Sequence, residues 1–294
     1  MTLQTAIDDF LIEQKIRGNS PKTVRYYSLC LSLFSRYAQA ETELSALSQG
    51  QLRGFYLSLS DRQLSSVTIQ TYFRAVRAFL TWCYQEELVA VNWSERFRLP
   101  KAKAKTVDVL TDSEITRLFA SIGSKSLLQL RNLCICSLML DCGLRLHEVV
   151  TLTVEHLRVS DGYLIAVGKG NKERVVPIGY RTRRLLLRYL SRRPAYAKTP
   201  FVFLRSDWEP ISDDTLRMLF RRLKTQSDIP RLRAHLLRHT FATRYLENGG
   251  DLYSLQQILG HTSLEMVRRY VHFTPRNLQS TYSRYSPLDR MGMR

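Results

Sequence analysis

Acidic residues, cysteine pairs and long hydrophobic runs are all scarce in this chain of 294 residues. No apolar run reaches the roughly 18 residues that a membrane span requires, which argues against an integral membrane protein. The N-terminal stretch is acidic early and lacks the basic-then-apolar pattern of a secretory signal. The five cysteines include no C-x-x-C pair, so free thiols in a reducing compartment are expected. We therefore expect a cytoplasmic protein with no membrane association.

The shortage of acidic side chains leaves a net charge of +18. An excess of this size indicates a polyanionic partner, most simply nucleic acid, although a basic protein with only a solvated surface is the alternative. Residues 1–100 contain 11 Lys or Arg against 9 Asp or Glu, whereas residues 101–294 contain 33 against 17. Most of the positive charge therefore belongs to the second segment.

The first hundred residues show helical periodicity throughout. Asn19 or Ser20 caps one long helix, and SSVTIQTYFRAVRAFLTWCYQEE predicts a second long amphipathic helix. Two shorter helices are expected near residues 4–16 and 49–59. We predict an all-helical bundle over residues 1–93.

A basic, Pro-containing stretch follows, and residues 94–108 are predicted to be a linker. The second domain, residues 109–294, opens with a capping box from Thr111 to Glu114. An apolar helix is expected to follow it through Leu140, and Gly143 to end that helix.

One hairpin is predicted in the second domain. The runs Tyr163–Val167 and Arg174–Ile178 are rich in β-forming residues and flank a Gly-containing turn. The remaining elements are expected to be helices, with a short strand at FVFL, residues 201–204. The second domain is thus mainly helical with one small sheet.

Four segments of the second domain contain side chains suited to chemistry. They are Arg145 just after a glycine, Lys169 in the hairpin turn, His235 with Arg238 three positions later, and His261 with Tyr270 nine positions later.

In this order and register, the set resembles the tyrosine recombinase (phage-type integrase) family. GKGNKERVVPI and LRHTFAT are also similar to the family's flanking sequence. The resemblance covers nearly the whole chain, because the N-terminal bundle and linker are similar to the family's core-binding domain. It implies a mainly α fold with a small antiparallel β-sheet: an all-helical, SAM-like core-binding bundle followed by a mixed α+β catalytic domain.

The implied activity is site-specific DNA recombination by cutting and rejoining duplex DNA through a 3′-phosphotyrosyl intermediate, without ATP. Strands would be exchanged through a Holliday junction by four protomers on two DNA sites, with a monomer or weak dimer off DNA. An accessory protein or a second recombinase is a further candidate partner.

The resemblance also implies a role for each residue of the set. Tyr270 attacks the phosphorus, and Arg145 and Arg238 stabilise the charge that develops on the phosphate oxygens. Because these guanidiniums supply the charge that a metal supplies elsewhere, neither a metal nor another cofactor is expected. The remaining roles are Lys169 as the general acid, with Lys172 as its rival, His235 as the base or proton relay, and His261 as a hydrogen-bond donor to the phosphate.

Each of these residues also has a structural interpretation. Arg145 could neutralise a helix end, the lysines could be turn residues, and His235 and Tyr270 could pack. Cys142 with His147 is a weak metal alternative. Two neighbours are given structural roles: Glu148 is expected to hold Arg145, and His239 to be a core histidine without chemistry.

Three other functions stay open at this point: a non-catalytic DNA-binding regulator, a type IB topoisomerase-like enzyme and a metal-dependent nuclease. Candidate DNA contacts are Lys22, Arg25, Arg74 and Arg77 on helix faces of the bundle, and Arg268 and Arg269 directly before Tyr270. These two arginines belong to EMVRRY, the segment in which many relatives have a Thr-Thr pair. Leu278 and Tyr282 are candidates for a contact between the C-terminal tail and a neighbouring protomer.

Overall fold

The computed structural model describes residues 1–96, 108–168, 170–194, 197 and 199–271. The chain divides into two compact units, Met1–Lys105 and Thr106–Arg294. Separate hydrophobic clusters form the core of each unit.

The first unit is a helical bundle, as the periodicity predicts. Side-chain oxygens of Ser20, Ser48 and Ser65 cap three of its helices by accepting hydrogen bonds from backbone N–H groups. Phenylalanines from all four long helices meet in the core with ring centroids 5.2–5.7 Å apart. The helices are α1 (Leu3–Ile16), α2 (Pro21–Ala38), α3 (Gln49–Asp61), α4 (Ser66–Gln85) and α5 (Trp93–Arg96), with a 3₁₀ turn at Leu44–Ala46.

The second unit is mainly helical with one three-stranded sheet. Its elements are α6 (Asp112–Ile122), α7 (Leu127–Asp141), α8 (Leu146–Val150), β1 (Leu157–Arg158), β2 (Tyr163–Val167), β3 (Glu173–Pro177), α9 (Tyr180–Leu190), α10 (Asp213–Gln226), α11 (Ala234–Glu247), α12 (Leu252–Leu259) and α13 (Glu265–Arg268).

Helix α7 forms the centre of this unit and is buried on almost every side. Helices α9 and α11 pack against it. The predicted capping box at Thr111 and Glu114 starts α6. The apolar stretch up to Leu140 is two helices, because Gly123 has a left-handed φ of 71° and Ser126 caps α7 anew.

The predicted hairpin is confirmed. Strands β2 and β3 pair antiparallel with Ile165 opposite Val175, and β1 pairs on the other edge of β2. The predicted strand at residues 201–204 is wrong: Phe201 and Leu204 form only isolated bridges.

All five cysteines are buried free thiols. Cys142 is fully buried, whereas the His147 side chain is 73% exposed and lies 3.0 Å from Asp213, so the two do not share a metal site. No helix in the described ranges is long and apolar enough to cross a membrane.

Candidate active site

Arg145 is positioned by the end of α7. The chain leaves this helix through Gly143, whose φ is 64°, and Arg145 becomes the N-cap residue of α8. Its backbone N–H and its Nη1 each donate to the Glu148 carboxylate at 2.7 Å. The side chain is 34% exposed. The guanidinium is thus fixed on one side and open on another.

Glu148 is the buried acceptor at the centre of this cluster. Arg174 of β3 also donates to both of its oxygens at 2.8 Å. Burial by itself would raise the pKa of Glu148, but the hydrogen bonds and charges of Arg174 and Arg145 lower it to about 2. The expectation that Glu148 holds Arg145 is confirmed.

Arg174 is a site residue that the sequence analysis missed. It extends from the hairpin to the carbonyl of Ile258 at 2.7 Å as well as to Glu148. The alternation of side chains along a strand could have indicated it. Arg174 lies two positions before the buried Val176 in β3, so both side chains are on the face that packs against the core.

Arg238 is almost completely buried on α11, with 3% of its surface exposed. It donates to the carbonyls of Gly143 and Leu259, the latter at 2.8 Å. Burial, and next the charge of Arg145, lower its pKa to about 9. The group is therefore still a cation at neutral pH, and it connects the end of α7 with the end of α12.

His261 follows α12 directly. Arg238 Nη2 lies 3.1 Å from His261 Nε2. Since a guanidinium only donates, Nε2 accepts and the imidazole proton is on Nδ1. Nδ1 is buried and has no hydrogen-bond partner among the described residues. Burial, and then Arg238, lower the pKa of His261 to about 4, so the ring is neutral at pH 7.

Tyr270 lies just beyond α13 and is 3% exposed. Its ring stacks on His261 with centroids 6.4 Å apart, and its hydroxyl lies 2.9 Å from Nδ1 of His239. Burial raises the pKa of Tyr270, while the charges of Arg269, Arg238 and Arg145 act to lower it.

His239 is not the core histidine that we expected. It is half-buried, and its Nε2 lies 3.2 Å from Arg269 Nη2 while its Nδ1 contacts Tyr270.

His235, expected to be the base, is exposed in the first turn of α11, and its ring centroid is 6.2 Å from that of His239. Burial, and then Arg238, lower the pKa of His235. The four-residue spacing of His235 and His239 on one helix could have indicated that both lie on the same face, near the site.

Lys169 lies outside the described residues, as do Leu278 and Tyr282. On either side of Lys169, the Gly168 N–H donates to the Lys172 carbonyl at 2.8 Å. Lys172 is exposed.

The six candidate DNA contacts are all exposed. Arg268 pairs with Glu265 at 3.6 Å, and Arg269 lies over the Tyr270 ring at 5.2 Å. The Tyr26 hydroxyl donates to the Thr71 carbonyl at 2.7 Å and so joins α2 to α4, the two helices with predicted basic faces. The basic residues on these two faces are Lys22 and Arg25 on α2, and Arg74 and Arg77 on α4.

The described part of the chain contains no group of three or more His, Cys, Asp or Glu side chains arranged to hold a metal ion. The charge of the site comes from guanidiniums: Arg145, Arg174 and Arg238 surround one carboxylate.

Residues 108–276 match the model of the phage integrase family, and residues 7–87 match its N-terminal SAM-like domain. The tyrosine recombinase XerD of Oceanobacillus iheyensis is 30% identical over 295 residues, covering 97% of this chain and 99% of the relative. The tyrosine recombinase XerC of Pediococcus pentosaceus is 29% identical, covering 92% and 94%.

Two solved structures have the same fold. The Tn1549 transposon integrase in complex with transposon right-end DNA has a TM-score of 0.80 at 18% identity, covering 97% of this chain and 100% of that chain. A lambda integrase dimer bound to a core site has a TM-score of 0.77 at 18% identity, covering 94% and 97%.

Proposed function

The chain belongs to the phage integrase family, and on this premise we propose that it cleaves duplex DNA with Tyr270 and rejoins it through a 3′-phosphotyrosyl intermediate. It is a site-specific recombinase, since the relatives that it matches over nearly their full length are tyrosine recombinases. This reading is favoured over a non-catalytic regulator and over a topoisomerase.

One observation supports the chemistry above all others. Arg145, Arg238, His261 and Tyr270 come from separate segments of the second unit and lie close together. Arg238 contacts His261 at 3.1 Å, His261 stacks on Tyr270, and Arg145 Nη2 lies 3.4 Å from the Gly260 carbonyl. A cationic cluster beside a hydroxyl nucleophile suits attack on a phosphodiester.

In the proposed step, the Tyr270 hydroxyl oxygen attacks phosphorus and forms a bond to it. The bond from phosphorus to the 5′-oxygen breaks, the phenolic proton passes to a base, and the leaving 5′-oxygen takes up a proton. Attack by a 5′-hydroxyl on the phosphotyrosyl bond reverses these changes, so the number of phosphoester bonds is conserved and no ATP is consumed.

Arg145 and Arg238 have different parts in this step. Arg145 is one-third exposed and can donate to a phosphate oxygen, while the buried Arg238 supplies a fixed charge behind it. The Nδ1–H of His261, which has no partner among the described residues, is a further donor, and a phosphate oxygen would satisfy it once the groups that bury it move aside.

We assign the two proton transfers by resemblance. Lys169 is proposed as the acid that protonates the 5′-oxygen, with Lys172 as its rival, because its place in the sequence between β2 and β3 matches the hairpin lysine of the family. His235 is proposed as the base or relay. Its exposure and its lowered pKa support this role, because an unprotonated imidazole can accept a proton.

Residues 1–93 are proposed as the core-binding domain and residues 109–294 as the catalytic domain, joined by the linker 94–108. The exposed basic residues of α2 and α4 would contact DNA phosphates, and Arg268 and Arg269 would add contacts near the nucleophile.

Four protomers on two DNA sites are proposed for strand exchange, with a monomer or weak dimer in the absence of DNA. The dimer of lambda integrase on its core site supports assembly on DNA. Light scattering with and without DNA carrying the recombination site would measure the state, and a protomer that stays monomeric on a complete site would contradict the proposal.

The decisive experiment traps the covalent intermediate. The protein is incubated in chelator with labelled, nicked duplexes from a random library, then denatured and resolved by electrophoresis. Wild type should give a protein–DNA band, and Tyr270→Phe should give none.

Tyr253→Phe is the matched control. Tyr253 is 68% exposed on α12, so this variant should keep the band. A band that survives Tyr270→Phe would show that another residue is the nucleophile.

A further inference from the structure

We propose that His239 is a positioning residue that holds the Tyr270 hydroxyl oxygen through an Nδ1–H donor, in a tautomer set by Arg269. This inference deepens the proposed function, because it depends on Tyr270 being the nucleophile. It concerns a residue outside the catalytic set assigned above.

The tautomer follows from which groups can donate. Arg269 Nη2 lies 3.2 Å from His239 Nε2, and a guanidinium has donors only. His239 Nε2 must therefore accept, so it has no proton. A neutral imidazole then has its proton on Nδ1, and Nδ1 lies 2.9 Å from the Tyr270 hydroxyl.

This direction of the hydrogen bond determines what His239 can do. As a donor to the phenol oxygen, it cannot also take the phenolic proton. It leaves that proton free to go to another base, and it stabilises the phenolate as the proton departs. Arg269 thus orients His239 by donating to its Nε2, and His239 orients Tyr270 by donating from Nδ1 to the hydroxyl oxygen.

The surroundings keep His239 neutral. Burial and the positive charge of Arg269 are the main causes that lower its pKa to about 4. The titratable and charged groups around its ring are His235 and Arg238 on its own helix, Arg233 at the start of that helix, and Arg269 and Tyr270 after α13.

Arg269 acts on the nucleophile in two ways. Its guanidinium carbon lies 5.2 Å from the centre of the Tyr270 ring, and its Nη2 contacts His239. Its exposed position and its place directly before Tyr270 allow both contacts at once.

The first test observes the tautomer directly and does not depend on catalysis. The full-length protein is labelled with ¹⁵N-histidine, and long-range ¹H–¹⁵N correlation spectra at pH 7 identify the protonated ring nitrogen. The His239 signals are assigned by their loss in His239→Asn. We expect the Nδ1–H form in wild type and a change in the tautomer population in Arg269→Met. An Nε2–H form in wild type would overturn the proposal.

The second test measures single-turnover cleavage of nicked DNA. His239→Leu should lower the cleavage rate about 100-fold at pH 7, by analogy with the loss of one oriented donor. The part of the pH profile in which the rate rises as Tyr270 loses its proton should move to higher pH. His239→Asn keeps an N–H donor near the position of Nδ1 and should recover the rate to within about tenfold of wild type.

Arg269→Gln provides the third test. It should slow cleavage in the wild-type background, and less in the His239→Asn background, because an asparagine amide has no tautomer to set. Equal effects in both backgrounds would overturn the tautomer role of Arg269.

Melting temperatures separate these outcomes from misfolding. If His239→Asn were as slow as His239→Leu with unchanged melting, the donor role would be wrong. A faster His239→Leu would mean that His239 restrains Tyr270, which also overturns positioning. Failure of the proposed function itself would be recognised separately, as an adduct that persists in Tyr270→Phe.

Discussion

At the scale of single residues, Glu148 determines how three arginines can lie so close together. Its buried carboxylate accepts from Arg145 and Arg174 and lies 4.0 Å from Arg238. Like charges this close would repel one another strongly in a buried environment. One anion offsets part of that repulsion, and the remaining positive charge is available to a phosphate.

Glu148→Gln tests this balance. The pKa of Glu148 falls from its ordinary value of 4.5 to about 2 on folding, which corresponds to about 3 kcal/mol of stability at pH 7. Because the pKa of Glu148 is lower in the folded state, its ionised carboxylate contributes this stability in full above pH 4.5. The contribution is lost as pH falls from 4.5 towards 2. We expect Glu148→Gln to cost about 3 kcal/mol at pH 7 and about 1 kcal/mol at pH 3, measured by urea unfolding.

Glu265→Gln is the matched control for that measurement. Glu265 pairs with Arg268 at 3.6 Å, but its side chain is 82% exposed. Exposed pairs contribute little, so the change should be below about 0.5 kcal/mol at both pH values. An equal loss for Glu148→Gln at pH 7 and pH 3 would show that its ionised form is not the stabilising one.

At the scale of elements, the site depends on how strand β3 meets the end of α12. Arg174 reaches from the strand to the Ile258 carbonyl, and Gly260 ends the helix with a left-handed φ of 61°. A Cβ on Gly260 would lie 2.8 Å from Arg174 Cδ. Only glycine lets the strand arginine pass so close to the helix end that orients His261.

Gly260→Ala should therefore combine two costs, about 1 kcal/mol for the left-handed backbone and about 1–3 kcal/mol for displacing Arg174. Because Arg174 also holds Glu148, we expect cleavage to slow at least tenfold. Melting temperature and single-turnover cleavage are the measurements.

Gly18→Ala isolates the backbone cost. Gly18 has a similar φ of 70°, and a Cβ there would meet no atom within 4 Å. Its cleavage rate should match wild type. If both alanine variants had the same melting temperature and cleavage rate, the close approach of Gly260 and Arg174 would not matter for function.

At the scale of the whole molecule, charge decides how the protein meets its partner. The net charge is +18, and 33 of the 44 basic residues lie in residues 101–294. We therefore expect the first unit to make few DNA contacts, through the exposed basic residues of α2 and α4. Binding should be strongly salt-dependent, because each phosphate contact releases counterions.

Replacing Arg74 and Arg77 together by alanine should weaken DNA binding and reduce the slope of log K against log salt by about 2, since each phosphate contact contributes about 0.9. Arg17→Ala is the control, because Arg17 is already paired with Glu13 at 2.7 Å, and its slope should stay at the wild-type value. Fluorescence anisotropy across a salt series provides both slopes. An unchanged slope in the double variant would remove these residues from the interface.

Local features of this chain follow directly from its sequence. The bundle helices, the capping box at Thr111 and the hairpin of β2 and β3 are all specified by neighbouring residues, through apolar periodicity, side-chain caps and turn chemistry. The family motif likewise indicated Arg145, Arg238, His261 and Tyr270, which the fold does bring together. The isolated strand expected at residues 201–204 failed because its hydrophobic residues turn inward to the core instead of pairing along a ladder.

The sequence by itself determined the helical bundle and the hairpin through local patterns and, through its resemblance to a known family, the family and the candidate catalytic set. Only the tertiary structure decided which side chains of the site contact one another. Arg174 reaches Glu148 across 26 positions, and His239 reaches Tyr270 across 31. Periodicity contains no information on contacts at that separation, since they depend on how α8, β3, α11 and the segment after α13 pack. The direction of the Tyr270 hydroxyl, and with it the role of His239, is a property of that packing alone.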